Sequence, residues 1–125
     1  MSLDAIGIVS KNITESVRFY SILGVELKEA GGDNHFEGMT ASGVRIMIDS
    51  AELIKKLNPN WVDPAGCGVV LCFKQDSPDE VDKLYEAVIR AGFKAIKAPW
   101  DAFWGQRYAS IMGPDSNQVD IFAAL

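Results

Sequence analysis

The chain has a single histidine, His35, and two residues further on stands a carboxylate, Glu37. Residues two apart in an extended segment share a face, so imidazole and carboxylate would stand side by side. Such a pair can move a proton, because imidazole titrates near neutrality and a carboxylate beside it is a second base. Far along the chain come Arg107 and Asp120. They are the materials for an ion pair, or for an arginine that steadies an enolate. Trp104 and Phe122 offer apolar area, and an indole face attracts cations. One histidine also excludes chemistry: a zinc or facial-triad iron centre that needs several imidazoles cannot be built from one chain. His35, Glu37 and Asp120 would together be a sensible ligand set for iron, manganese or zinc, but they are spread over most of the chain.

The elements that must position these groups come in one order, written twice. Ala5–Val9 reads as a strand. A helix follows, with Thr14 as cap and Ile13, Val17, Tyr20 and Leu23 at helical spacing, and Gly24 ends it. Val25–Ala30 is extended, Gly31–Asn34 is a turn, and His35–Thr40 and Val44–Asp49 are two more strands. The second half repeats this. Gly68–Lys74 is a strand, and Ser77-Pro78-Asp79-Glu80 opens a helix with a capping box and Pro at its first position. Val81, Leu84, Val88 and Ala91 form its stripe, and Gly92 ends it. Phe93–Ala98, Gly105–Met112 and Asn117–Ala123 are extended. The reading is an α+β chain of two βαβββ units, about 1–50 and 66–125. A connector, 51–65, holds a short helix at Ala51–Leu57 and then Trp61. At 125 residues the whole is expected to be one domain.

Strand register assigns faces. A four-residue turn at Gly113–Ser116 would pair Met112 with Asn117 and Arg107 with Phe122. Arg107, Ala109, Asp120 and Phe122 then share a face, with Arg107 diagonal to Asp120. A turn at Thr40–Gly43 pairs Met39 with Val44, His35 with Ile48 and Glu37 with Ile46. Phe36 and Met47 fall on the opposite side, under the helices. Pro99–Trp104 reads as an aromatic loop, which either plugs the end of a sheet or lines a cleft.

Several phrases resemble one family. They are Ala5-Ile6-Gly7-Ile8-Val9, then Ser16-Val17-Arg18-Phe19-Tyr20 and Leu23-Gly24-Val25, and near the end Trp104-Gly105-Gln106-Arg107 and Gly113–Phe122. The last is similar to an Asp-Pro-Asp-Gly-Asn turn followed by a carboxylate-bearing strand, with Gly113 and Ser116 departing from it. Together they resemble the vicinal-oxygen-chelate superfamily, the glyoxalase/bleomycin-resistance/dioxygenase family. The resemblance implies curved mixed sheets around a pocket, and a homodimer. It also implies four metal slots, which fall on Ala5, near Gly68, near Ile46 and on Asp120, and only Asp120 can ligate. No metal and no cofactor are therefore expected. The cavity wall implied by register and resemblance together carries His35, Glu37, Arg107 and Asp120, with Phe122, Ile46 and Met39, and Trp104 beside it.

Seventeen acidic against twelve basic residues, net −5, argue against nucleic acid and anionic membrane as partners. The start of the chain reads as free of any secretory or transit signal, and the expected compartment is the cytoplasm. Cys67 and Cys72 are five apart, face opposite ways and are expected as reduced thiols. The leading reading is a metal-free protein that captures a small organic ligand, cationic or aromatic, as sequestering resistance proteins of this family do. The alternative is an enzyme, a lyase, isomerase or dioxygenase relative. It would use either the displaced ligand set or Glu37 or His35 as base with Arg107 beside an enolate. Arg107 with Asp120 as a plain ion pair, and His35 as an ordinary exposed strand residue, stand beside both.

Overall fold

A computed structural model describes residues 1–64 and 68–125. The chain forms two compact units, Met1–Pro64 and Ala65–Leu125. The first contains β1 (Ala5–Ser10), α1 (Ile13–Ile22), β2 (Lys28–Glu29), β3 (His35–Met39), β4 (Arg45–Ser50) and α2 (Ala51–Leu57). The second contains β5 (Leu71–Lys74), α3 (Pro78–Arg90), β6 (Lys94–Ala102), β7 (Gln106–Met112) and β8 (Gln118–Ala124). Each unit is a four-stranded mixed sheet, in the orders β1-β4-β3-β2 and β5-β8-β7-β6. The first strand of each unit runs parallel to the last, and the other neighbours are antiparallel. The expected α+β architecture of two βαβββ units is what forms.

Local chemistry explains the helix starts. Asn12, not Thr14, caps α1: its side chain accepts from the Glu15 amide at 3.2 Å. Ser77 caps α3 as the sequence implies, accepting from the Glu80 amide at 3.3 Å, with Pro78 first in the helix. α1 and α3 each pack on one face of their own sheet. In the first unit Phe19, Tyr20, Ile46 and Ile48 are buried, and the Ser10 and Ser16 hydroxyls bond at 2.7 Å between strand and helix. In the second, Val81 and Val88 of α3 are buried together with Ile111, Val119 and Ile121 of the sheet it packs on. Gly38 is required by a close approach: a Cβ there would lie 2.5 Å from the Glu26 carbonyl oxygen.

The structure corrects the sequence-based register in both units by one residue, for one reason. Each hairpin closes with a three-residue loop, not four. Thr40 and Val44 close the first, and the Thr40 amide donates to the Val44 carbonyl at 2.9 Å. Gly113 and Asn117 close the second in the same way at 2.8 Å. The last loop residue is left-handed in both, Gly43 at φ 90° and Ser116 at φ 66°. Met39 therefore pairs with Arg45, and His35 with Asp49. Arg107 pairs with Ala123, and Tyr108, not Arg107, faces Phe122. A slip of one residue sends a side chain to the other face. The extended segments also differ at their ends. β6 runs on through Trp100 to Ala102 over two irregularities, so most of the expected aromatic loop is strand. β5 begins only at Leu71. The reading of Cys67 lies outside the described residues, and Cys72 is an exposed free thiol.

Candidate functional site

In the first unit the face away from the helices carries a chain of charges. β3 contributes His35 and Glu37, and β4 contributes Arg45 and Asp49, held opposite by the register just given. The His35 Nδ1 bonds Asp49, and its Nε2 lies 2.7 Å from Glu37. Arg45 donates to the other Glu37 oxygen at 2.6 Å and to Asp4. Hydrogen bonds to Asp49 and then to Glu37 raise the His35 pKa above its ordinary value. Bonds from His35 and then from Arg45 lower that of Glu37. The structure thus brings His35 and Glu37 together as the sequence implies, and adds Asp49, Arg45 and Asp4. Ile46, placed on the cavity wall by the sequence, is instead core at 2% exposure. Met47 replaces it on the His35 face.

In the second unit the corresponding face is aromatic. Tyr108 stacks on Phe122 with ring centroids 5.8 Å apart. Trp104 meets Tyr108 edge-on at 5.3 Å, Trp100 at 5.5 Å and Phe103 at 4.9 Å. The Trp104 indole donates to Gln106 at 2.7 Å, which sets the ring's orientation. Beneath these rings lies Asp120, 7% exposed. It accepts from Tyr108 Oη at 2.7 Å, Ser110 Oγ at 2.7 Å and Gln118 Nε2 at 2.9 Å. Burial first, and the bond to Asp120 second, push the Tyr108 phenol far up, so it stays protonated and donates.

Arg107 is not with Asp120. It lies on the α3 side, bonded to Asp82 through Nε at 2.9 Å and to Asp101 through Nη1 at 3.1 Å. The expected Arg107–Asp120 pair and the shared face both fail on the one-residue slip. Asp120, Phe122 and Trp104 do come together. Tyr108, Ser110 and Trp100 are the members that sequence reasoning missed. The signal for Tyr108 and Ser110 was a three-residue loop ending in a left-handed residue, a form that Gly43 announces in the first unit and Ser116 hides in the second.

The comparisons with known proteins agree with this architecture. A family model described as Glyoxalase/Bleomycin resistance protein/Dioxygenase superfamily matches residues 2–121, and the chain belongs to that superfamily. A family enzyme from Burkholderia phytofirmans PsJN is 23% identical, with TM-score 0.87 over 98% of both chains. A glyoxalase/bleomycin resistance protein/dioxygenase from Nocardioides is 25% identical, with TM-score 0.78 over 100% of this chain and 84% of that one. A glyoxalase-related enzyme from Fulvimarina pelagi is 16% identical, with TM-score 0.82 over 98% of this chain and 87% of that one. No curated protein matches the sequence.

The family resemblance implies a divalent ion, and the residues present do not fit one. Asp120 pairs with Cys72 in the parallel ladder as Met47 pairs with Gly7. Gly7 and Cys72 each stand five residues before their helix caps, Asn12 and Ser77 (12 − 7 and 77 − 72). Met47 is therefore the counterpart of Asp120, correcting the Ile46 assignment. By the same count Ala5 matches Val70 rather than Gly68. Alanine, valine and methionine offer no hard donor, and the Asp120 oxygens already accept three hydrogen bonds. Among the described residues no group of three or more His, Cys, Asp and Glu is arranged to hold a metal ion. Among them, too, no helix is long and apolar enough to cross a membrane.

Proposed function

We propose that this protein captures a small organic molecule in the cytoplasm, without a metal and without breaking a bond, and does so as a homodimer. Asp120 carries the reading. At the one family slot that holds a possible ligand, the carboxylate instead anchors Tyr108, Ser110 and Gln118. It thereby locks the phenol ring into a set of aromatic edges and faces, a surface suited to holding a flat molecule rather than reacting with it. The test is a panel of small aromatic compounds, read by tryptophan fluorescence and by mass spectrometry of the recovered compound. Saturable quenching with the compound recovered unchanged is expected. A compound recovered chemically altered, in step with protein added, would overturn capture.

The enzyme reading has one observation in its favour, the dyad of His35 with Asp49. The electrostatics run against it. An imidazolium held between two carboxylates gives up its proton reluctantly, and a Glu37 pulled down by His35 and Arg45 is a weak base. Arg107, the expected support for an enolate, is bound to Asp82 and Asp101 instead.

A further inference from the structure

The sheet of the second unit separates charge between its faces. Directly paired residues share a face, so Lys74 joins Phe122, Lys97 joins Ser110, and Lys94 joins Met112. All three lysines therefore stand on the face of Asp120 and Tyr108, and all three are exposed. None makes an ion pair with a described residue. The acids of this unit lie elsewhere. Asp79, Glu80, Asp82 and Glu86 belong to α3, which packs on the opposite face. Asp101 is bonded to Arg107 on that side, Asp76 precedes α3, and Asp115 sits in the hairpin loop. Among the described residues the aromatic face keeps a single carboxylate, Asp120, buried and already bonded to three donors.

This arrangement is hostile to a cationic ligand. The lysines repel it, Asp120 is buried and already accepts three hydrogen bonds, and the place over the Trp100 indole is taken. The Lys97 ammonium itself stands 4.5 Å from the Trp100 ring centroid. The same features suit the opposite charge. Tyr108 is the next same-face residue along β7 from Ser110, the partner of Lys97, and such diagonal neighbours lie about 7–8 Å apart. A flexible lysine stem that starts at this distance can bring its ammonium to an acidic group on a ring lying against Tyr108. Trp104 at 47% and Phe103 at 91% exposure leave ring edges available alongside.

We infer that the ligand of this face is a planar aromatic anion, a flat ring system bearing a carboxylate or sulfonate. The ring lies against Tyr108 and Trp104, and the acid group is met by Lys97 with Lys94. This names the ligand class for the capture reading and depends on it.

The test uses three probes of one shape and three charges: 2-naphthoate, 2-naphthamide and 2-naphthylmethylammonium. Binding to the full chain is followed by calorimetry and by the indole N–H signals of Trp100 and Trp104 in nitrogen-15 NMR. Naphthoate is expected to bind about tenfold tighter than the ammonium probe, the size of one or two screened charge contacts. Added salt should weaken naphthoate alone. The Lys94→Gln/Lys97→Gln double variant, altered only at exposed side chains, should lose about tenfold for naphthoate and leave naphthamide unchanged. An ammonium probe that binds as tightly as naphthoate overturns the anion assignment and leaves capture standing. Naphthoate affinity unchanged in the double variant, with its circular dichroism unaltered, does the same. If none of the three probes moves the Trp100 or Trp104 signals, the capture reading falls, and this one with it.

Discussion

The two sheets share their wiring and differ on one side. Both run first strand beside last, both close the final hairpin with a three-residue loop, and both pack a helix on Ile46 and Ile48 or on Val119 and Ile121. The other faces have nothing in common. One is a string of charges from Asp49 through His35, Glu37 and Arg45 to Asp4, and the other is a set of aromatic rings over a buried carboxylate. The packed side is held by the cost of emptying or overfilling a core, so the repeat is kept there. The other side is free to carry chemistry, and the two units spend that freedom differently.

The largest expected difference lies at the equivalent positions Asp120 and Met47. Asp120→Ala leaves a buried hydroxyl and a half-buried phenol and amide without their acceptor and should cost about 3 kcal/mol in denaturant unfolding. Met47→Ala removes only half-buried apolar area and should cost about 1 kcal/mol. Equal costs would break the claim that Asp120 organises its face.

The hairpins come next. Ser116 holds a left-handed φ of 66° where the first unit has Gly43 at 90°. Ser116→Gly should stabilise by about 0.5–1 kcal/mol, and Gly43→Ser should destabilise by a similar amount, both read as shifts in the denaturation midpoint. No change at either would mean that the backbone strain inferred there is absent.

The smallest effect is the pH response, because the first unit's charges are partly exposed and screened. His35 has its pKa raised from 6.5, so its contribution is complete below 6.5 and is lost as pH rises through the folded value. Glu37 has its pKa lowered from 4.5, so its contribution is complete above 4.5 and is lost as pH falls through its folded value. The network is therefore strongest between 4.5 and 6.5. The second unit's phenol starts from 10.0 and is raised, so it adds no pH dependence until alkaline conditions. His35→Gln should flatten the fall in stability above pH 6.5 while leaving the alkaline limb unchanged. A flattened alkaline limb would contradict the assignment.

The elements and their order were legible in the amino acids, because the signals were local: Ser77-Pro78 at a helix start, Gly24 and Gly92 at helix ends, and apolar residues at strand or helix spacing. His35 and Glu37 were legible as neighbours because two residues of one strand share a face whatever the pairing. Their partners across the ladder were not. Asp49, Arg45, Tyr108 and Ser110 depend on register, and register depends on whether a loop holds three residues or four. Ser116, a poor match to its own backbone angle, conceals that count. Trp100 was misread as loop because Pro99 reads as a strand breaker, although an edge strand with irregularities tolerates it.

The central claim is that the carboxylate at the family's ligand position serves its own sheet and not an ion. Its most direct test is the metal content of the chain after dialysis against excess manganese, nickel, iron(II) or zinc, comparing the parent with Asp120→Ala. The account predicts far less than one ion per chain in both proteins. One ion retained per parent chain, and released by Asp120→Ala, would contradict it.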